Sequence, residues 1–541
     1  MFRLPAIFLL AAVTFVSCDT RSDIEMANDE GILIMGNSNE PKGLDLHLVS
    51  GVLESNILRA LFEGLATDDA EIDGKAIPGA AASWDTTDNI NWTFNLQPKG
   101  KWSDGEPLTA EDFVFSYKRM LSPDPAWPAK YAEMLYFLDG AEAYHKGEQD
   151  DFSKVGVWAE DDYTLKLRLR GPVPFLPEIS KHFTWYPVPK HVVLEHGEIN
   201  TAYSSPWTKP GNIVSNGPFQ LKEWRTNHYL EVERNPHYWD ADTVSLQGIR
   251  YLPISNYYTE NRMFGDDQIH VTYTVPSELI PYAKENYPDQ LRQEPYVGVR
   301  FVRTNVRREP FDNPKVRRAF ALAIDQVAIC EKILQGGQTP ASGMVPSFGD
   351  YKEAGVIQFD PEEARRLLEE SGFANASAFP DITLLTTDSD SGRREAEALQ
   401  AMWYKHLGIK VRIQQREWTT YLQKQYDADF DLSVAGWIGD YLDPTTFLEM
   451  WIKGGGNNNT GWGSEEYEAL LHKAENTADP AERLAILSQA EKLMLSEIPA
   501  LPIYFYTTNY LIRPEVKNWH PMLLNKHPYK FVELKTEDSA E

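Results

Sequence analysis

Behind an apolar leader this chain continues for roughly 520 residues, more than one hydrophobic core can organise, so it must build two or more domains. With only two cysteines it can form at most one disulfide, and none if Cys18 carries lipid. Cys18 closes the leader. Arg3 is followed by an almost wholly apolar run from Leu4 to Val16 and then by Ser17-Cys18, a short charged start, an apolar centre and a small residue before a cut site. The run is shorter than the ~20 residues a permanent bilayer-spanning helix needs, and no later segment is a transmembrane candidate. A cysteine at the cut suggests acylation of Cys18, with ordinary secretion and an incidental cysteine as the alternative. If Cys18 carries lipid, Cys330 has no partner. It lies in an apolar helical pattern from Phe320 to Ile333 and reads as a small buried hydrophobe.

Residues 18–30 are polar and acidic and read as a flexible tether. Gly31-Ile-Leu-Ile-Met-Gly36 then reads as a first buried strand, and Asn91-Trp-Thr-Phe-Asn-Leu96 as a half-buried one. Further alternating runs stand at 164–169, 229–232 and 298–303. Thr109-Ala-Glu-Asp112 is a capping-box-like start for a helix over 110–120. Asp360-Pro361 and Asp479-Pro480 open two more helices, one ending before Gly372 and one near Ser496. Strands and helices mix without a fixed repeat, which makes the fold class α/β. The polar run Gly454-Gly-Gly-Asn-Asn-Asn-Thr-Gly-Trp-Gly463 either closes over a ligand or is a surface loop.

A net charge of −28 argues against nucleic acid as a partner, which wants a basic patch, and against electrostatic binding to anionic lipid. No GxxxxGK[ST], strand-GxGxxG-helix, HExxH, GxSxG or CxxC is present. His191 and His196, like His228 and His237, lack the i,i+4 spacing of a helical metal site. With 80 acidic residues, chance carboxylate pairs are expected, so no glycosidase-like pair can be argued. No catalytic residue, metal or cofactor is therefore assigned. The 15 Trp, 26 Tyr and 24 Phe suit a large core and also an aromatic binding cleft.

The stretch Ala435-Gly436-Trp437-Ile438-Gly439-Asp440-Tyr441-Leu442-Asp443-Pro444-Thr445 sets one acid beside a glycine-flanked tryptophan. A strand over 430–435 runs into it. An acid at a strand end beside an aromatic wall can receive a cationic head group such as an α-ammonium; it can also simply cap the segment that follows.

Several segments together resemble the extracellular solute-binding protein family 5, the peptide- and nickel-binding components of ABC importers. They are Phe62-Glu-Gly-Leu65, Ser83-Trp84-Asp85, Trp92-Thr-Phe-Asn-Leu96, Lys101-Trp-Ser-Asp-Gly-Glu-Pro-Leu-Thr-Ala-Glu-Asp-Phe113, Val214-Ser-Asn-Gly-Pro-Phe219, Glu233-Arg-Asn-Pro-His-Tyr-Trp239, Phe311-Asp-Asn-Pro-Lys-Val-Arg317 and Gly436-Trp437. They stand in the family's order along nearly the whole mature chain. Ser50-Gly-Val-Leu-Glu-Ser-Asn56, Asn212-Ile-Val-Ser-Asn-Gly217 and Tyr251-Leu-Pro-Ile254 resemble the oligopeptide-binding branch. Phe15-Val16-Ser17-Cys18 resembles a bacterial lipobox, with Phe15 where leucine is usual, and Asp19 resembles an inner-membrane retention signal.

The resemblance implies a bilobal periplasmic-binding-protein-like fold of type II with an extra domain and a hinge between the lobes. It divides the chain into a leader 1–17, a tether 18–30, a discontinuous lobe I (31–62, 187–296, 507–541), an additional domain 63–186, and lobe II 297–506. It implies no enzyme, but an exported, membrane-anchored, monomeric receptor for oligopeptides. Its partners are permease subunits with their ATPases, and it touches the membrane only through lipid. Asp440 matches the acid that pairs with the peptide's α-ammonium. Gly436 and Trp437 match the segment that hydrogen-bonds the peptide as an added strand, Val52 an opposing backbone contact, and Tyr131 and Trp418 aromatic positions lining the cleft. Where the family has basic residues for the ligand carboxylate, this chain has Val434 and Gln425; Lys424, Arg416 or Arg300 are the substitutes at hand. A ligand-length preference unlike that of the usual short oligopeptides is expected. A muropeptide, dipeptide or nickel-metallophore receptor, a signalling or chaperone-type receptor, and a secreted hydrolase are the alternatives.

Overall fold

Side-chain alternation decides the strands. Asn91–Leu96 buries Trp92, Phe94 and Leu96 and turns Asn91 and Asn95 outward. It pairs antiparallel with Ala81–Thr86 and Thr164–Arg168, and Val157–Asp161 completes a four-stranded sheet. Ile32–Gly36 has no alternation because both its faces are covered. Leu33 and Met35 enter one core, Ile32 and Ile34 another. This strand runs parallel to Gly248–Leu252, and the sheet continues antiparallel through Tyr229–Arg234 to Phe219–Arg225. The structure, a computed structural model, describes residues 21–201 and 205–535; Cys18 lies outside them. No helix among them is long and apolar enough to cross a membrane.

A six-stranded mixed sheet organises a separate core. Its order is Thr339–Pro340, Ala500–Leu511, Leu291–Thr304, Leu432–Ile438, Ile382–Thr387 and Val411–Arg416. Val299, Phe301, Leu384, Leu432, Leu501 and Ile503 all enter that core. The two longest strands, Leu291–Thr304 and Ala500–Leu511, lie antiparallel from the Leu291↔Leu511 pair to the Arg303↔Ala500 pair. One end of the pair puts Leu511 into the small core beneath Ile32 and Ile34, while the other supplies the six-stranded core. Their register shifts between Pro295 and Val299, where the pair passes from one core to the other. The fold is thus two lobes joined by paired strands.

Helices begin where local chemistry prescribes. Thr109 and Asp112 form the capping box of Ala110–Met120, with the Thr109 amide donating to Asp112 Oδ2 at 2.9 Å. Asp360 and Asp479 cap Pro361–Glu370 and Pro480–Glu497, each with proline at the helix start.

Three readings need correction. The tether expected over 18–30 is helical from Asp23 to Glu30. Ser22 and Glu25 cap each other's backbone, Gly31 ends the helix at φ 69°, and Ile24 and Ala27 are buried. The helical pattern around Cys330 is not one helix. Pro314–Leu322 stops, Asp325 caps a new turn by accepting from the Ala328 amide, and a wider turn over Ile329–Leu334 carries Cys330. Cys330 itself is buried, and burial pushes its thiol up to about 12. The strand expected over 430–435 is Leu432–Ile438, so Gly436 and Trp437 belong to the strand rather than following it.

Candidate binding site: an interlobe cavity at an open strand edge

Leu432–Ile438 pairs along its whole length with Leu291–Thr304, but on its other side only Leu432 and Ser433 pair with Ile382–Thr387. From Val434 onward that edge is open. The Gly439 amide donates inward to Val297 O at 2.9 Å, whereas the Val434 carbonyl points outward and accepts from Tyr421 Oη at 2.6 Å. Backbone groups alternate sides along a strand, so the N–H and C=O of Gly436 and Ile438 face the open edge. A side chain at 436 would collide with its own sheet, because a Cβ there would stand 2.3 Å from Tyr506 Oη.

This edge borders a cavity of about 260 Å³, open at its mouth, between the lobes. One wall is Gly436, Trp437, Ile438, Gly439 and Asp440. Facing it are Ser50, Gly51 and Val52 at the start of the Val52–Leu61 helix, then Tyr131, Phe183 and His182. Val52 is 47% exposed, and Gly51 supplies no side-chain cap to the helix. Tyr131 takes a left-handed conformation at φ 60° and packs edge-on against His182 and Phe183 at 5.5 and 6.0 Å. The buried indole N–H of Trp437 finds no acceptor among the described residues.

Local capping falls to Asp443, not Asp440. The Asp443 carboxylate accepts from the Thr445 amide at 3.0 Å and pairs with Arg483 at 2.6 Å. Asp440 uses only its backbone: its N–H donates to Thr446 Oγ1 and its C=O accepts from Lys526 Nζ, both at 3.1 Å. Among the described residues its carboxylate accepts no hydrogen bond. Burial pushes that carboxyl up to about 6, with Lys526 pulling the other way. Burial and the nearby Asp440 charge together raise the Tyr131 hydroxyl to about 12, and burial holds His182 neutral. The result is a half-buried, unpartnered acid beside exposed backbone donors and acceptors.

Five of the six residues singled out in the sequence, Val52, Tyr131, Gly436, Trp437 and Asp440, line this one cavity. Trp418 does not. It is 58% exposed on Trp418–Tyr426 and stacks at 5.5 Å on Tyr421, which in turn reaches Val434. Val434 is a core residue, and Gln425 is buried in a network with Arg303, Ser433 and Tyr421. Two of the candidate carboxylate partners are already engaged: Arg300 is gripped by Glu395 at 2.6 and 3.0 Å, and Lys424 pairs with Asp429. The Gly454–Gly463 loop is tied to itself through Asn458, whose side chain donates to Trp451, Ile452 and Trp462 carbonyls, and it does not line the cavity. Sequence reasoning missed Tyr296, His182 and Lys526. Lys526 carries no local signal beyond the turn at Asn525, whose φ is 51°.

Residues 75–459 match the bacterial extracellular solute-binding proteins, family 5 Middle. This chain belongs to that family. The periplasmic oligopeptide-binding protein OppA of Salmonella typhimurium is 34% identical to it over 525 residues, covering 94% of this chain and 93% of the relative. The Escherichia coli murein tripeptide binding protein MppA has the same fold, with a TM-score of 0.81 at 30% identity over 93% of this chain and 98% of the other. The Haemophilus influenzae OppA complex with the peptide RPPGFSPFR gives a TM-score of 0.80 at 29% identity over 94% and 99% of the two chains. As a family 5 solute-binding protein this chain is a binder, not an enzyme, and the bilobal architecture is the family's.

Proposed function

We propose that this protein is the peptide-capturing receptor of an ABC importer, exported and held at the membrane by a lipid on Cys18. The observation that carries the reading is the unpartnered Asp440 carboxylate at the end of an open strand edge. The peptide's α-ammonium pairs with Asp440 in a charge-assisted bond. Its backbone adds to Gly436 and Ile438 as a further strand, while Val52 and Tyr131 face it from the other lobe. Main-chain bonds do not depend on peptide sequence, so they give affinity with little selectivity. Lobe I (31–62, 187–296, 507–541), the additional domain 63–186 and lobe II 297–506 close over the ligand, and a monomer presents the closed form to the permease.

Native mass spectrometry of the purified protein tests this. A ladder of short peptides, absent from Asp440→Asn, is the expected result. A single non-peptide species, or peptides retained equally by the variant, would overturn the assignment. With Val434 in the core and Gln425 in a buried network, no cation at those positions fixes the peptide's far end. Affinity is therefore expected to vary little from three to eight residues, and a sharp optimum at three or four in calorimetry would contradict it.

A further inference from the structure

Among the described residues lining the cavity only two are charged near neutral pH, and they are neighbours: Asp440 and Lys526. Asp440 is accounted for above. Lys526 is not. Its ammonium has three protons to donate, and it gives one to the Asp440 carbonyl at 3.1 Å. The acids behind it are committed elsewhere. Asp68 takes Lys181 at 2.7 Å and Arg59 at 3.3 Å, and Glu178 takes Lys181 at 2.6 Å. Among the described residues no carboxylate lies within ion-pair distance of Lys526. Burial, reinforced by the positive Arg59, lowers its ammonium to about 8, so it remains charged at neutral pH. An enclosed cation with unfilled donors and a like-charged neighbour is an unfavourable arrangement that a ligand can relieve.

A peptide whose ammonium sits on Asp440 brings a second positive charge close to Lys526. A carboxylate near that end of the ligand turns this repulsion into a second ion pair. We infer that Lys526 is a specificity-determining residue that receives a ligand carboxylate lying within two residues of the N-terminal ammonium. This deepens the peptide-receptor reading and rests on it. Two sources share the chemistry: an acidic side chain at the first or second position of a longer peptide, and the terminal carboxylate of a dipeptide.

Calorimetry at pH 7 on the purified mature chain distinguishes them. The probes are the tetrapeptides Glu-Ala-Ala-Ala and Ala-Glu-Ala-Ala, their glutamine twins, and the dipeptide Ala-Ala with its C-terminal amide. At least one acidic probe should bind about tenfold tighter than its neutral twin, the gain expected of a charge-assisted hydrogen bond. Preference for an acidic tetrapeptide identifies a side-chain carboxylate, and preference for Ala-Ala over its amide identifies the dipeptide terminus. Lys526→Met should erase the preference, so that each acidic probe binds the variant no tighter than its neutral twin, while Lys526→Arg should keep it. Twins that bind the native protein equally overturn the inference and leave the peptide reading standing; this comparison needs no variant. A Lys526→Met protein that loses all probes alike also overturns it, because the lysine then only supports the site. If no probe binds at all, the peptide reading falls and this inference with it.

Discussion

At the scale of single residues, Asp440 is held in an environment that disfavours its charge, and the consequences run in opposite directions for binding and for stability. In the proposed role the ionised form receives the ammonium, and burial holds the carboxyl of the ligand-free protein at about 6. Peptide affinity should therefore peak near pH 7, fall by up to about tenfold per pH unit below 6 as Asp440 takes up a proton, and decline again toward pH 8 and above as the peptide's own ammonium loses one. Titration calorimetry from pH 4.5 to 8 reads this directly, and an affinity flat across that range would exclude Asp440 as the anchor. For stability the sign reverses. The folded value of about 6 lies above the ordinary 3.8. Above pH 6 the native state thus carries a carboxylate that the unfolded chain solvates better. Asp440→Asn should raise the unfolding free energy of the ligand-free protein by about 1–3 kcal/mol at pH 7.5, and the gain should shrink steadily as pH falls from 6 toward 4. A residue whose removal stabilises the fold while abolishing binding is kept for the ligand.

At the scale of elements, the open edge of Leu432–Ile438 depends on the absence of a side chain at 436. Gly436→Ala drives a methyl group into the Tyr506 hydroxyl and displaces the strand edge that borders the cavity. The expected result is roughly tenfold weaker peptide binding, the loss of about one backbone hydrogen bond. Tyr506→Phe combined with it should restore part of the loss, because the atom in the way is the phenolic oxygen. If the double variant binds no better than the single one, the crowding account is wrong. This strand also shows what sequence can and cannot carry. The caps at Thr109, Asp360 and Asp479 were legible because a cap is local chemistry. Gly436, Trp437 and Asp440 could be singled out together because they stand within five positions of one another, and all three line the one cavity. The helix at Asp23–Glu30 was misjudged because its polar composition outweighed the Ser22–Glu25 box. The full extent of Leu291–Thr304 was hidden because Arg292, Gln293 and Glu294 break the apolar alternation just before the strand crosses between cores. Lys526 was invisible for a different reason. It reaches Asp440 from 86 positions away, and no periodicity reports such an encounter.

At the scale of the molecule, an ion pair at 3.1 Å joins Arg170, just after the strand Thr164–Arg168, to Glu475 at the end of the helix Glu465–Glu475. Both side chains are substantially exposed, so the pair is worth at most about 1 kcal/mol. Arg170→Ala should leave peptide affinity within about fivefold of the native value. A loss of a hundredfold in calorimetry would instead make the pair a latch that holds the lobes shut. The first core, finally, is closed by both ends of the chain. Leu33 and Met35 come from its start, and Tyr510, Ile512, Val516, Tyr529 and Val532 from its last stretch; Val271 bridges Met35 on one side and Ile512 on the other. Such long-range closure delays folding until the C-terminus is available. During synthesis and export the N-terminal segments therefore lack the partners that would lock them. That core therefore stays incomplete until residues 510–532 join the segments around Leu33 and Val271, which come hundreds of positions earlier.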